Sequence, residues 1–384
     1  MDKKVLIYMP EDLLAPVGGP RGYLYNLKQE IDRRGLRNIY FLPPSEKSKI
    51  VLPSFLSGIW NSLSYTFSLY KGLYGNNHSA QIDLNEFDII HFHDTWRMFI
   101  SQDSLKTYKG KVVLTSHSPT ILSKEWHDEA SKMKKHLCGK MLKDLIRMDE
   151  YAFNRADYIL FPCKEAEEPY EHAWSHFKDL KASKKERFLY NPSGIVGKTV
   201  KESREFICEK YGIPSDAVIF SYAGRHNSIK GYDDLKNMAE IILAKNPKAY
   251  FLIAGKENPL SGLNHPRWIE VGWTNDPHSL IGASDAFVLP NKETYFDLIL
   301  LEVLSLGKMV VASESGGNKY FKKWDGKGIY LYNKQSEAVQ LLEKIAKMTT
   351  DEKHQAEAAS LSIFSSNFTI ELFVDRYLDI ISRL

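Results

Sequence analysis

Short, uninterrupted apolar runs recur along this chain, and they constrain its fold more than any other feature. In the first half they are VLIYM (5–9), NIYFL (38–42), DIIHF (88–92), VVLTS (112–116) and DYILF (157–161). In the second they are AVIFSYAG (217–224), AYFLIAG (249–255), DAFVLP (285–290) and MVVAS (309–313). Their cores do not alternate polar with apolar residues, so each reads as a strand buried on both faces, as in parallel sheets covered by helices. Longer stretches with helical spacing separate them. Strand, helix, strand order in both halves predicts an α/β protein of two doubly wound, Rossmann-like domains facing a cleft, with ligands beyond the carboxyl ends of the strands. The join is expected in NPSGIVGKTVKESREFICEKYGIPSD (191–216), which holds Pro, Gly and many charges and shows no strand signal before Ala217. The predicted domains are 1–195 and 196–366, followed by a C-terminal helix over 367–384.

Composition narrows the class. The 384 residues are 43% hydrophobic and 26% charged, as in soluble globular proteins. Lys and Arg number 51 against 48 acidic residues, which gives no global case for nucleic-acid binding. Cys138, Cys163 and Cys208 form no Cys-x-x-Cys pair, so neither a disulfide framework nor a cysteine-rich zinc site is indicated and a reducing cytosol fits. The N-terminal MDKKVLIYMPEDLLAP runs straight into a strand pattern and has too short an apolar stretch for a secretion signal, so a cytoplasmic protein is expected.

Two regions of the first half raise the question of a membrane. IVLPSFLSGIWNSLSYTFSLY (50–70) carries no formal charge, yet its serines make it too polar to span a bilayer. It is predicted to be an amphipathic helix whose apolar face holds Leu52, Phe55, Leu56, Ile59, Leu63, Phe67 and Tyr70. The second region, 123–149, has seven basic residues against five acidic ones. Met133, Leu137, Met141, Leu145 and Met148 would form the apolar stripe of an ordinary amphipathic helix there. With the locally basic FKDLKASKKERF (177–188), these features would let the N-terminal half rest peripherally on an anionic membrane surface.

Four constellations carry chemistry. Glu302 is the lone carboxylate in an uncharged run from Leu298 to Gly307; on a buried helix it needs a hydrogen-bonding partner, either a sugar hydroxyl pair or a neighbouring Lys or Arg. The helix carrying it is expected to start near Asp297, a capping residue type, where free backbone N–H groups and the helix dipole favour an anion. In YAGRHNSIKGYDDL (222–235), Gly224 permits a tight turn after a strand, and Arg225 and Lys230 then present two cations suited to a diphosphate, or form a solvated basic loop. Gly18 and Gly19 in VGGPRGY open a helix after the first strand and would allow close approach of a ligand, or serve only as a turn. Finally, His91, His93 and Asp94 close one strand and His117 the next. They would suit zinc or iron if gathered, and His117 alone suits a polar substrate contact.

Together these stretches resemble the GT-B retaining glycosyltransferases of family four. The residues that carry the resemblance are Gly224-Arg225 and Lys230-Gly231 after a strand, then AYFLIAG, then PNKETYFDLILLEVLSLGKMVVASESGG. The resemblance implies that Arg225 and Lys230 hold the nucleotide diphosphate. It further implies that the helix start at Phe296, Asp297 and Leu298 meets the phosphates, that Glu302 binds the ribose, and that the glycine loop corresponds to Gly18 and Gly19. His117 would lie near the donor sugar. The family carries a second glutamate where this chain has Thr294, with Glu293 one place early; either Glu293 reaches the sugar or Thr294 replaces the acid. The implied reaction moves a sugar from a nucleotide-diphosphate donor, UDP-linked in the first place, to a glycan or lipid-linked saccharide, as in bacterial capsule or cell-surface polysaccharide synthesis. It would need neither metal nor cofactor, because two side-chain cations and a helix start already face the diphosphate. The rival readings are a non-catalytic subunit supporting a partner transferase, and a nucleotide-sugar epimerase.

Overall fold

The computed structural model describes residues 3–15, 19–44, 54–75, 82–118, 120–257 and 259–384. Among them, twelve strands form two six-stranded sheets in which every pairing is parallel. The first sheet contains β1 (Val5–Pro10), β2 (Ile39–Leu42), β3 (Ile89–Phe92), β4 (Lys111–Leu114), β5 (Tyr158–Phe161) and β6 (Phe188–Tyr190), in the order β2-β1-β3-β4-β5-β6. The second contains β7 (Val218–Ala223), β8 (Ala249–Ala254), β9 (Trp268–Gly272), β10 (Ala286–Leu289), β11 (Met309–Ser313) and β12 (Ile329–Tyr332), in the order β12-β11-β10-β7-β8-β9. The chain divides into two compact units. One comprises Met1–Phe161, Tyr170–Asn191 and Arg376–Leu384, the other Pro162–Pro169 and Pro192–Asp375. The last helix, Ile370–Arg383, therefore contributes its final residues to the first unit.

The apolar runs are continuous because both faces of the sheets are covered. Along β7, Val218, Phe220 and Tyr222 join the cluster beneath the helix Tyr232–Lys245, while Ile219 joins a second cluster with Ile207, Leu252 and Leu280. Alternate residues of one strand thus feed two cores. The strands that the apolar runs do not reveal, β6, β9 and β12, are all sheet edges. β9 shows why: Glu270 stands inside it, its carboxylate accepting from Trp268 Nε1 at 2.8 Å.

Two helical expectations are corrected. Residues 123–149 do not form one helix but break into Leu122–Glu129, Lys132–Leu137, Gly139–Asp144 and the start of Ile146–Arg155. Ser131 caps the second of these by accepting from the Lys134 N–H at 3.2 Å, which fixes a new start. The methionine and leucine stripe is consequently split, with Met141, Leu145 and Met148 buried and Met133 and Leu137 both 72% exposed. The other helix spans Ser54–Tyr74; among its described side chains Leu69 and Leu73 are buried, whereas Phe67 and Tyr70 face solvent. Leu52 lies outside the described residues, as do the side chains of Phe55, Leu56, Ile59 and Leu63. Among the described residues, no helix is long and apolar enough to cross a membrane.

Candidate functional site

In the second sheet the strand order reverses between β7 and β10, so the loops leaving their carboxyl ends flank a topological switch point, the usual ligand position in such sheets. Three loops meet there. The first runs from Gly224 to Gly231, the second from Pro290 to Asp297, and the third follows β11 through Gly316 and Gly317. Glycine is required where they touch. Gly231 has φ +64°, and a Cβ on it would sit 1.8 Å from the Pro290 carbonyl oxygen. Added carbons on Gly316 and Gly317 would sit 2.1 and 2.0 Å from the carbonyls of Thr294 and Tyr295. Gly224 has an ordinary backbone conformation. Its place is a close approach, since a Cβ on the neighbouring Gly255 would sit 1.9 Å from the Gly224 carbonyl.

Charge is held in pairs across these loops. Lys230 Nζ lies 2.8 Å from Asp297 Oδ1. The other Asp297 oxygen accepts from Thr294 Oγ1 at 2.6 Å and from the Asn291 side-chain amide. Asp297 therefore occupies the cap position of the helix Leu298–Ser305 without its carboxylate bonding to that helix, contrary to the capping expectation. Lys230 outcompetes the helix N–H groups for it, because a full positive charge makes the stronger bond. Arg225 is exposed at the end of β7, with its carbonyl accepting from Tyr222 Oη at 2.9 Å. His226, absent from the sequence-derived set, is fully buried and stacks on Tyr232 with ring centroids 4.0 Å apart, which anchors the loop between Arg225 and Lys230. Burial pulls its imidazole below the usual histidine range.

Glu302 has protein partners. Its carboxylate is 22% exposed, with His278 Nε2 at 3.1 Å from one oxygen and Lys198 Nζ at 3.6 Å from the other. Nothing in the local sequence marks His278 or Lys198, which approach from 24 and 104 residues away; only the fold brings them together. Thr294 is buried and faces Asp297, so its hydroxyl does not point outward, while Glu293 beside it is half-buried. The Phe296 ring packs in an aromatic cluster with Phe321 and Phe368. Leu298 begins the helix.

In the first sheet the order reverses between β1 and β3, and here three buried imidazoles are held neutral. His91 is buried between Tyr377 Oη, 3.0 Å from Nδ1, and Thr115 Oγ1, 2.8 Å from Nε2. His93 Nδ1 and His117 Nε2 are 2.9 Å apart, so one ring donates to the other. Burial brings both His91 and His117 down to about 3, and takes His93 well below its ordinary range. Tyr23, in the helix Pro20–Arg34, sets its ring edge against His117 at 4.7 Å. Gly19 caps that helix with φ +76°, whereas Gly18 lies outside the described residues. Asp94 is turned away from the imidazoles: it caps the helix Thr95–Ile100 and pairs with Arg97. Among the described residues, no three His, Cys, Asp or Glu side chains gather as a metal would need.

Residues 217–351 match the family described as glycosyl transferases group 1. The matched stretch makes up about a third of the chain. It contains all three loops of the second switch point. A stretch of the chain is 29% identical over 126 residues to a D-inositol 3-phosphate glycosyltransferase of Saccharomonospora viridis, covering 28% of this chain and 29% of that protein. Another match is 28% identical over 123 residues to the UDP-Gal:alpha-D-GlcNAc-diphosphoundecaprenol alpha-1,3-galactosyltransferase of Escherichia coli, covering 29% and 32%. The aligned stretches thus span less than a third of each relative. Beyond the matched stretch the likeness is structural. Anabaena Alr3699/HepE, solved with UDP-glucose, is similar over 100% of both chains with a TM-score of 0.64 and 14% identity. The fold is GT-B, two Rossmann-like domains.

Proposed function

We propose that the protein is a glycosyltransferase that moves a sugar from a nucleotide-diphosphate sugar, a UDP-sugar first, to a saccharide acceptor. The observation that carries this reading is the second switch point, where Arg225 and the Lys230–Asp297 pair stand on adjacent loops and the helix Leu298–Ser305, with Glu302 in it, follows the second of them. Arg225 and Lys230 supply the cations for a diphosphate, and the free N–H groups at the helix start add donors. As the bond to the sugar breaks, negative charge grows on the departing diphosphate. Fixed cations there stabilise it without reorganisation. Glu302 would take the ribose hydroxyls, with His278 and Lys198 holding the carboxylate in place meanwhile. His117, kept neutral, is fit to share a hydrogen bond with a sugar hydroxyl and not to hold an anion.

The finer features belong to the same proposal. The transfer retains configuration and requires no metal, since side-chain cations neutralise the leaving group. The enzyme works in the cytoplasm on a glycan or lipid-linked acceptor of a bacterial surface polysaccharide, in keeping with the diphosphoundecaprenol acceptor named for the similar Escherichia coli enzyme. A second reading, a non-catalytic subunit, is favoured by one observation: Thr294 turns inward where the resembled family carries an acid toward the donor sugar. Calorimetric titration with UDP and with GDP in the presence of chelator, alongside Arg225→Ala, separates the two. Binding of one nucleotide that is lost in the variant and indifferent to chelator supports the transferase; binding of neither favours the subunit.

A further inference from the structure

The surface of the first unit carries a feature that the sugar-transfer site does not use. The helix Ser54–Tyr74 buries Leu69 and Leu73 and turns Phe67, Tyr70 and Tyr74 outward, with Phe67 68% exposed. On its flank, Tyr65 touches the Trp126 ring, with centroids 6.0 Å apart, and lies under Lys134 Nζ at 5.3 Å. These contacts tie it to the short helix Lys132–Leu137, whose Met133 and Leu137 are each 72% exposed. Monomeric proteins seldom leave so many large apolar side chains in one place without a use for them.

Charge identifies the occupant. Lys71, Lys132 and Lys140 are exposed in the same region, and none of them forms an ion pair among the described residues. Among the described residues nearby, Asp128 pairs with Lys124 and Asp144 accepts from the Tyr74 hydroxyl. A second copy of the chain would set this basic face against itself, and like charges across an interface oppose association. Exposed aromatic and thioether side chains interleaved with unpaired lysines are instead the composition that settles at the headgroup level of an anionic bilayer, rings at the acyl boundary and ammonium groups on phosphates. We propose that the exposed side chains of residues 65–74 in the helix Ser54–Tyr74, together with those of the helix Lys132–Leu137, form a peripheral docking surface for an anionic lipid bilayer. The inference does not depend on the sugar-transfer reading, although it would deliver the protein to a lipid-linked acceptor.

The test is co-sedimentation of the full chain with phosphatidylcholine vesicles and with phosphatidylcholine–phosphatidylglycerol vesicles, at low and high salt. The expected result is binding to the anionic vesicles alone, weakened by salt as the Debye length shrinks. Each lysine near such a surface is worth about a fivefold change in affinity. Lys132→Glu with Lys140→Glu should then weaken binding by about 25-fold or more. Phe67→Ser with Tyr70→Ser, both at exposed positions, should lower binding at every salt concentration. UDP titration of the same variants should be unchanged, which keeps a failed docking surface distinct from a failed donor site. No binding to anionic vesicles at low salt overturns the proposal, as does binding that survives both double variants. Concentration-dependent dimerisation abolished by Phe67→Ser and Tyr70→Ser would overturn it too, by giving the face to a second copy.

Discussion

The two switch points share an architecture and differ in chemistry. After β7 and β10 the second unit holds full charges in reach of solvent, Lys230 against Asp297 and Glu302 against His278 and Lys198. In and after β3 and β4 the first unit holds His91, His93 and His117, all kept neutral by burial. A charged pair can exchange one partner for an anionic ligand, whereas a neutral imidazole offers a single directional hydrogen bond. The same parallel-sheet scaffold therefore carries paired charges at one end, which the proposed function assigns to a diphosphate, and neutral hydrogen-bonding rings at the other, which it assigns to sugar hydroxyls.

Acid is the strongest way to pull the two apart. His91 titrates at about 3 instead of its ordinary 6.5. Between those values the unfolded chain binds a proton that the folded form refuses. Stability is therefore intact above pH 6.5 and falls as pH drops towards 3, by an amount on the order of 4 kcal/mol for such a shift. Urea denaturation at a series of pH values should show this slope in wild type and a flatter one in His91→Gln. An unchanged slope would mean that the imidazoles do not set the first unit's acid limit. Gly231→Ala acts on the other side, adding a Cβ against the Pro290 carbonyl at positive φ, and should cost the second unit about 3 kcal/mol or more. Gly212→Ala is the control, since Gly212 shares φ +64° with nothing within 4 Å and should lose only about 1 kcal/mol. Calorimetry that ranks these two variants equally would refute the clasp between the loops.

Lys230→Ala should weaken UDP binding by about 2–3 kcal/mol, the value of a hydrogen bond to a charged group, while His117→Ala should leave UDP affinity within about 0.5 kcal/mol. Equal losses would erase the division of labour. The smallest effect is expected of Thr294→Val, which removes one of three donors to Asp297. It should cost about 1 kcal/mol of stability, with nucleotide affinity nearly kept. A large loss of activity with intact UDP binding would instead place Thr294 at the sugar.

Central strands were legible because a strand covered on both faces has no polar positions to interrupt it. Of the four edge strands only β2 was, and Glu270 within β9 illustrates why the others were not. Arg225, Lys230 and Glu302 stood out as charges at a strand end or in an apolar run, which is information local to the chain. Their partners did not: Asp297 lies 67 residues from Lys230, and His278 is one of twelve histidines with nothing local to mark it. The break of 123–149 into short helices was also hidden, since apolar spacing continues across Ser131 and Cys138 while the backbone does not.

The bond between Lys230 and Asp297 makes the resting loop pair its own rival for any phosphate that arrives. On the proposed function, an incoming diphosphate would have to displace a tethered carboxylate that never diffuses away. The same carboxylate stands ready to reclaim the ammonium when the nucleotide loosens. Grip would thereby be traded for release, and a substitution that silenced Asp297 without disturbing the loops should then bind spent nucleotide more tightly and let it go more slowly.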